Sequence, residues 1–180
     1  ITQDTVWTLT DSPYVIIRDV TIDANVTLTI EPGVEVRFGG NFSLVVEGKL
    51  TAIGTEENPI NFTSNKLQPE KGDWNTINFT SMQPSHLERC VIEYAKNGTV
   101  IQNGNLLITK SNINNNLQNG VYITGNNSVV IGENRIETNL NGIFIDEDSS
   151  GVAIQYNIIC NNVKKGIYLN GNKTIENILI

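Results

Sequence analysis

Residues 108–145 read ITKSNINNNLQNGVYITGNNSVVIGENRIETNLNGIFI, and the stretch states one pattern twice. The phrase [Ile/Leu]-x-x-[Asn/Ser/Cys]-x-Ile occupies Ile108–Ile113 and returns at Ile131–Ile136. Working outward, it also occurs at Leu87–Ile92 and Ile154–Ile159, so successive copies start at Leu87, Ile108, Ile131 and Ile154, a nearly constant step. A degraded fifth copy starts at Ile175. A glycine and an alternating run follow each good copy: Gly98-Thr99-Val100-Ile101, Gly120-Val121-Tyr122-Ile123, Gly142-Ile143-Phe144-Ile145 and Gly166-Ile167-Tyr168-Leu169. Self-similarity at this spacing defines a solenoid, in which each repeat buries its apolar side against its neighbours.

The repeat is built of strands. Apolar and polar residues alternate, which is the strand period. Asn and Gly cluster between the runs, where both tolerate the backbone of a sharp corner. The expected fold is all-β: a right-handed, single-stranded parallel β-helix with coils of about 16–24 residues, stacked about 4.8 Å apart. The polar member of the phrase forms one column, Cys90, Ser111, Asn134 and Asn157, and a second runs Asn116, Asn139 and Asn162. Stacked inside a corner, such amides bond to one another from coil to coil. The other reading is a set of solvent-facing turn asparagines.

The N-terminal half alternates in the same way at Val26–Ile30, Val34–Phe38, Leu44–Val46, Leu50–Ala52 and Ile60–Phe62, with Glu31-Pro32-Gly33, Gly39-Gly40-Asn41 and Asn58-Pro59 as turns. The whole chain, 1–180, is expected to form one domain. In it 1–25 would cap the N-terminus, 26–82 would form shorter coils with a projecting loop at 64–73, and 83–180 would carry the regular repeats. The segments LTIEPGVEVRFGG, LVVEGKLTAIGTEENPINFTS and NGVYITGNNSVVIGENRIETNLNGIFI resemble right-handed parallel β-helix repeat proteins of the pectin-lyase-like superfamily. In style they are nearest to β-helix regions of archaeal and bacterial surface proteins. The resemblance covers most of 26–180 and speaks to fold; the architecture hosts lyases, hydrolases, epimerases, adhesins and scaffolds.

Twelve basic against 19 acidic residues give a net charge of −7, which argues against nucleic acid and anionic membranes as partners. No apolar run reaches the length of about 18 residues that a spanning helix needs, so no membrane insertion is expected. The chain begins at Ile1 and closes on the apolar Ile178-Leu179-Ile180, which reads as a trimmed region or fragment. An open apolar edge there would be covered by further chain or by another copy, giving a homo-oligomer or filament through the terminal coils. Cys90 and Cys160 fall about three coils, or about 14 Å, apart, beyond disulfide reach. Seven Asn-x-Ser/Thr sequons, at Asn25, Asn41, Asn61, Asn78, Asn97, Asn126 and Asn172, favour an extracellular or cell-surface glycoprotein.

The resemblance implies where catalytic equipment would be sought. Lyases of this type carry clustered Ca²⁺-binding carboxylates with an Arg or Lys base, and the hydrolases carry three Asp with a nearby His. This chain has one histidine, His86, and four arginines, Arg18, Arg37, Arg89 and Arg135. Arg37 and Arg135 alternate outward, and His86, Glu88 and Arg89 read as a solvated corner. No catalytic residue is assigned. No cofactor is assigned either, although Asp146 and Asp148 are the best candidates for a Ca²⁺ site. One surface feature stands out. Val100, Tyr122, Phe144 and Tyr168 fall between inward aliphatics and should face outward as a stripe beside the polar column Gln102, Thr124, Asp146 and Asn170. Aromatic faces beside hydrogen-bonding side chains suit sugar rings. The alternative is a stripe packed under a flanking loop, or a protein–protein seam. The expected role is a non-catalytic structural or adhesive module, with glycans or other surface-protein subunits as partners through Tyr122, Phe144, Tyr168, Thr124, Asp146 and Asn170. The alternative is a fragment of a polysaccharide-active lyase or hydrolase.

Overall fold

In the computed structural model, which describes residues 1–171 together with the strand Ile178–Leu179, every strand pairs in parallel. Three sheets of eight, seven and seven strands run the length of the solenoid. The first holds Thr5–Trp7, Thr27–Ile30, Lys49–Ile53, Ser85–Glu88, Asn105–Thr109, Asn126–Gly132, Ser150–Gln155 and Ile178–Leu179. The second holds Tyr14–Ile16, Glu35–Phe38, Ile60–Ser64, Cys90–Glu93, Asn112–Asn114, Arg135–Glu137 and Ile158–Cys160. The third holds Val20–Ile22, Ser43–Val46, Thr76–Phe79, Thr99–Gln102, Asn119–Thr124, Asn141–Ile145 and Lys165–Leu169. One short 3₁₀ turn, Leu9–Asp11, is the sole helical element among the described residues.

Register explains the sequence period. Ile108 lies opposite Ile131 and Ile131 opposite Ile154; Val121 lies opposite Ile143 and Ile143 opposite Ile167. Like residues therefore stack on like residues, and the core is a column of aliphatic side chains rather than a globule. Phe38 and Trp74 stack inside it, their centroids 3.9 Å apart and their planes within 4°. The indole N–H donates to the Glu93 carbonyl at 2.8 Å, so the buried ring leaves no polar atom unpaired.

Three expectations are corrected. The segment 1–25 is not a separate cap: its strands are the first coil, with Thr5 opposite Leu28, Tyr14 opposite Val36 and Val20 opposite Leu44. The early coils are not shorter either. Leu28 lies opposite Leu50, a coil as long as those that carry the phrase. Thr51 lies opposite His86, a longer coil still, because the loop after Ser64 is inserted in it. The fifth phrase is out of step, because Ile178 pairs with Ile154 and so takes the first position of the phrase, not its Asn column. The side chains of 172–180, and with them the apolar end expected there, lie outside the described residues.

The loop itself is anchored at its neck. The Asp73 carboxylate accepts from the Ser64 hydroxyl at 2.7 Å, the Glu70 N–H at 2.9 Å and the Lys66 ammonium at 2.5 Å. The loop then leans along the solenoid rather than projecting freely: Lys71 donates to the Thr138 carbonyl, and Gly72 sits against Leu117.

Both polar columns are buried ladders, not exposed turns. Asn134 and Asn157 are 2% and 6% exposed. Asn134 Nδ2 donates to Asn157 Oδ1 at 3.0 Å and to the Ile108 carbonyl at 2.9 Å, while Asn134 Oδ1 accepts the Ser111 N–H at 3.0 Å. Cys90 and Ser111 continue the column downward, the Cys90 N–H donating to Ser111 Oγ at 3.0 Å. In the second ladder Asn116 Nδ2 donates to Asn139 Oδ1 at 3.0 Å, and Asn139 Nδ2 to Asn162 Oδ1 at 3.2 Å. A third, not foreseen, runs Asn97, Asn119 and Asn141 and donates in the opposite sense: Asn119 Nδ2 to Asn97 Oδ1 and Asn141 Nδ2 to Asn119 Oδ1, both 2.9 Å.

In the first two ladders each amide satisfies backbone groups at a corner where the sheet hydrogen bonds are interrupted. Asn134→Leu leaves the Ser111 N–H and the Ile108 carbonyl unpaired in a dry corner. It should lower unfolding free energy by about 1–3 kcal/mol, measured by urea denaturation, with the parallel-β circular dichroism retained.

Candidate functional site

Among the described residues, the third sheet builds the one aromatic surface that the repeat sets in line. Its inward residues Val121, Ile123, Ile143 and Ile145 are buried, which turns the residues between them outward. Tyr122 lies opposite Phe144, and Phe144 opposite Tyr168. Their rings pack edge to face, at 5.2 Å and 76° for the first pair and 4.8 Å and 90° for the second. Val100 occupies the same column but is buried, contrary to expectation, so the stripe consists of the three aromatic residues alone. Tyr122 and Phe144 are half-buried and Tyr168 is exposed, at 39%.

The polar column beside it is wired to the rings. The Tyr122 hydroxyl donates to Asp146 Oδ2 at 2.9 Å, and Asn170 Nδ2 donates to Asp146 Oδ1 at 2.8 Å. The Glu147 N–H also reaches Oδ1, at 2.9 Å. The Asn170 amide, then the Glu147 N–H and the Tyr122 hydroxyl, hold the Asp146 carboxyl below its usual range despite some burial. Burial, then the hydrogen bond to Asp146 and the Asp146 charge, push the Tyr122 phenol up. Thr124 is half-buried beside this group. Asp148 is exposed on the turn, and among the described residues no three His, Cys, Asp or Glu side chains are placed to hold a metal ion. Asp146 thus acts as a hydrogen-bond hub for the stripe.

A concavity of about 380 Å³ opens at the corner between the first and second sheets, lined by Thr55, Glu56, Pro59, Arg89, Lys110 and Glu133 among others. The corner is less simple than a solvated turn. Glu88 accepts from Arg89 and from Lys110 Nζ at 3.2 Å, and its other oxygen lies 3.5 Å from His86 Nε2. Arg89, Lys110, Glu133 and Tyr156 all adopt positive φ, at 50°, 51°, 56° and 55°. They share one place in the repeat, immediately before the ladder residue. Lys110 was legible as a partner, because it holds in its own coil the place that Arg89 holds in the coil before. Two further cations are paired on the second sheet: Arg37 with Glu35 at 2.5 Å, and Arg135 with Glu137 through two bonds of 2.7 and 2.8 Å.

The sequons divide by environment. Asn25, Asn41 and Asn126 are exposed. Asn61 and Asn78 point outward from strands but are half-buried, and Asn97 belongs to the third ladder. Asn172 lies outside the described residues. Cys90 and Cys160 are both free thiols; Cys90 is buried, and burial pushes its thiol far up. Among the described residues no helix is long and apolar enough to cross a membrane.

This architecture defines a parallel β-solenoid of the pectate-lyase-like class. The chain belongs to the family described as right-handed beta helix region, whose model matches residues 52–180; residues 1–84 match the pectate-lyase-like beta helix domain. A stretch of 58 residues, 32% of the chain, is 41% identical to Protein bark beetle of Drosophila melanogaster, and the match spans only 2% of that far longer protein. No solved structure matches the chain at comparable significance.

The Asp146 hub has a pH signature. Its folded pKa lies below the ordinary value of 3.8, so the tie to Tyr122 and Asn170 is complete above that value and is lost as pH falls through the lower folded one. The Asn170 side-chain amide resonances should titrate with an apparent pKa below 3.8, and Tyr122→Phe should move that titration upward.

Proposed function

We propose that this chain is a non-catalytic, extracellular β-helix module whose work is attachment, made through the outer face of the third sheet. The observation that carries the reading is the aromatic stripe. Three rings are held edge to face in register with the coils and flanked by a carboxylate already oriented by Tyr122 and Asn170. A surface fixed before its partner arrives loses little entropy on binding. Partners of this kind are glycans or neighbouring surface-protein subunits.

The charged groups favour binding over chemistry. Arg37, Arg89 and Arg135 each pair with a carboxylate on their own or the adjoining strand segment, which leaves no free guanidinium among these three to act as a base. A glycosidase needs two carboxyl groups facing one bond, one as acid and one as nucleophile or base. Asp146 is committed to Tyr122, Asn170 and the Glu147 N–H, and Glu88 to its cations.

Purified protein should leave pectate and alginate intact with or without added Ca²⁺, followed by absorbance of unsaturated products and by reducing-end assay. Product formation that disappears on replacing one carboxylate or one arginine would establish the enzyme reading instead.

A further inference from the structure

We infer that the stripe binds a neutral glycan chain laid along the solenoid axis, and that its acidic border excludes uronate and sulfated chains. The inference rests on the attachment role proposed above and names its ligand.

The direction follows from the register. Tyr122, Phe144 and Tyr168 lie directly opposite one another in consecutive coils, so the platform advances by one coil, about 4.8 Å, per ring. A linear chain of sugar rings running parallel to the axis meets one aromatic side chain after another. A chain running across the sheet meets one.

The chemistry follows from the groups beside the rings. An ionised carboxylate only accepts hydrogen bonds; Asp146 Oδ1 already takes two donors, Asn170 and the Glu147 N–H, while Oδ2 takes the Tyr122 hydroxyl and retains acceptor capacity for a further one. The hydroxyl of Tyr122 donates to Asp146 and, with Thr124 also bonded to it, keeps one lone pair for a donor from a ligand. The strip therefore offers fixed acceptors next to apolar faces, which is the complement of a sugar rim bearing O–H donors.

The charge follows from the turn. Asp146, Glu147 and Asp148 are consecutive, and Glu147 and Asp148 are exposed. Lys164 and Lys165 lie at the other end of the strand that carries Tyr168, on the far corner of the sheet. Three carboxylates at one edge of the platform oppose any chain that brings its own anions within a Debye length. The area argues against a protein partner. A stable interface buries about 800 Å² on each side. Three rings of about 150–250 Å² each, already packed against one another and at most 39% exposed, offer far less than that.

The test is a ¹⁵N and aromatic ¹³C NMR titration of the whole chain with cellohexaose, mannohexaose, N-acetylchitohexaose and hexagalacturonate. At least one neutral hexaose should shift the ring signals of Tyr122, Phe144 and Tyr168 and the Asn170 amide, and Tyr168→Ala should weaken that association about tenfold. Hexagalacturonate should bind at least about tenfold more weakly, and the gap should shrink at high salt and in the double variant E147Q/D148N. Unchanged thermal midpoints identify variants that remain folded, and the double variant tests the charge argument without touching a ring or the Asp146 hub. Hexagalacturonate binding the stripe as tightly as the neutral chains overturns the ligand class while leaving the attachment face in place. Binding of none of the four overturns the inference. If, in addition, sedimentation shows a dimer that Tyr168→Ala dissociates, the face is an attachment surface for protein; if the chain is monomeric and inert, the attachment reading falls with it.

Discussion

The buried asparagine carboxamide, bonded upward and downward from its corner, is the interaction on which this solenoid depends. Sheets hold the coils together along the strands, but a coil must also turn, and at each turn its backbone N–H and C=O groups lose their neighbours. Asn139 illustrates the solution. Its Oδ1 accepts both the backbone N–H and the side-chain amide of Asn116, at 2.9 and 3.0 Å, while its own Nδ2 serves the Ile113 carbonyl and Asn162. One side chain closes four contacts in a space with no water to replace them.

The ladder dictates its surroundings. A Cβ on Gly98, Gly120 or Gly142 would lie 2.5, 2.7 or 2.4 Å from the next glycine's carbonyl oxygen, and 3.1, 3.0 or 2.9 Å from the Asn116, Asn139 or Asn162 amide nitrogen. These glycines are needed for close approach, since none of the three has a positive φ. Their regular placement sets the strands Thr99–Gln102, Asn119–Thr124 and Asn141–Ile145 at one height, and that regularity, continued at Gly166, aligns Tyr122, Phe144 and Tyr168. The outer face is in this sense a by-product of the inner corner: equal coils bring equal residues into contact on both sides of the wall.

The fold was legible because stacking imposes one identity per column, and the phrase around Ile108–Ile113 carries that identity openly. Parallel pairing at Val121, Ile143 and Ile167, the burial of Asn134 and Asn157, and two free cysteines all followed from spacing. What escaped had physical reasons. The third ladder was hidden in Asn-Gly pairs that also look like ordinary turns. The first coil was missed because its strands share the alternation but not the phrase. The long coil between Thr51 and His86 was missed because an insertion at a corner leaves the sheet register untouched. Val100 showed outward in the alternation yet is buried, since alternation fixes direction and not cover. The corner at His86, Glu88 and Arg89 gained Lys110 only through stacking, which brings the residues of one coil within reach of the next.

The most direct measurement is a double-mutant cycle on Asn116 and Asn139, made as single and paired alanine substitutions and read by equilibrium denaturation. A continuous ladder predicts strong non-additivity, with a coupling of about 0.5–3 kcal/mol, because the first deletion already strands the partner that the second removes. Effects that add to within about 0.3–0.5 kcal/mol would mean that each asparagine serves only its own corner, and would contradict the account.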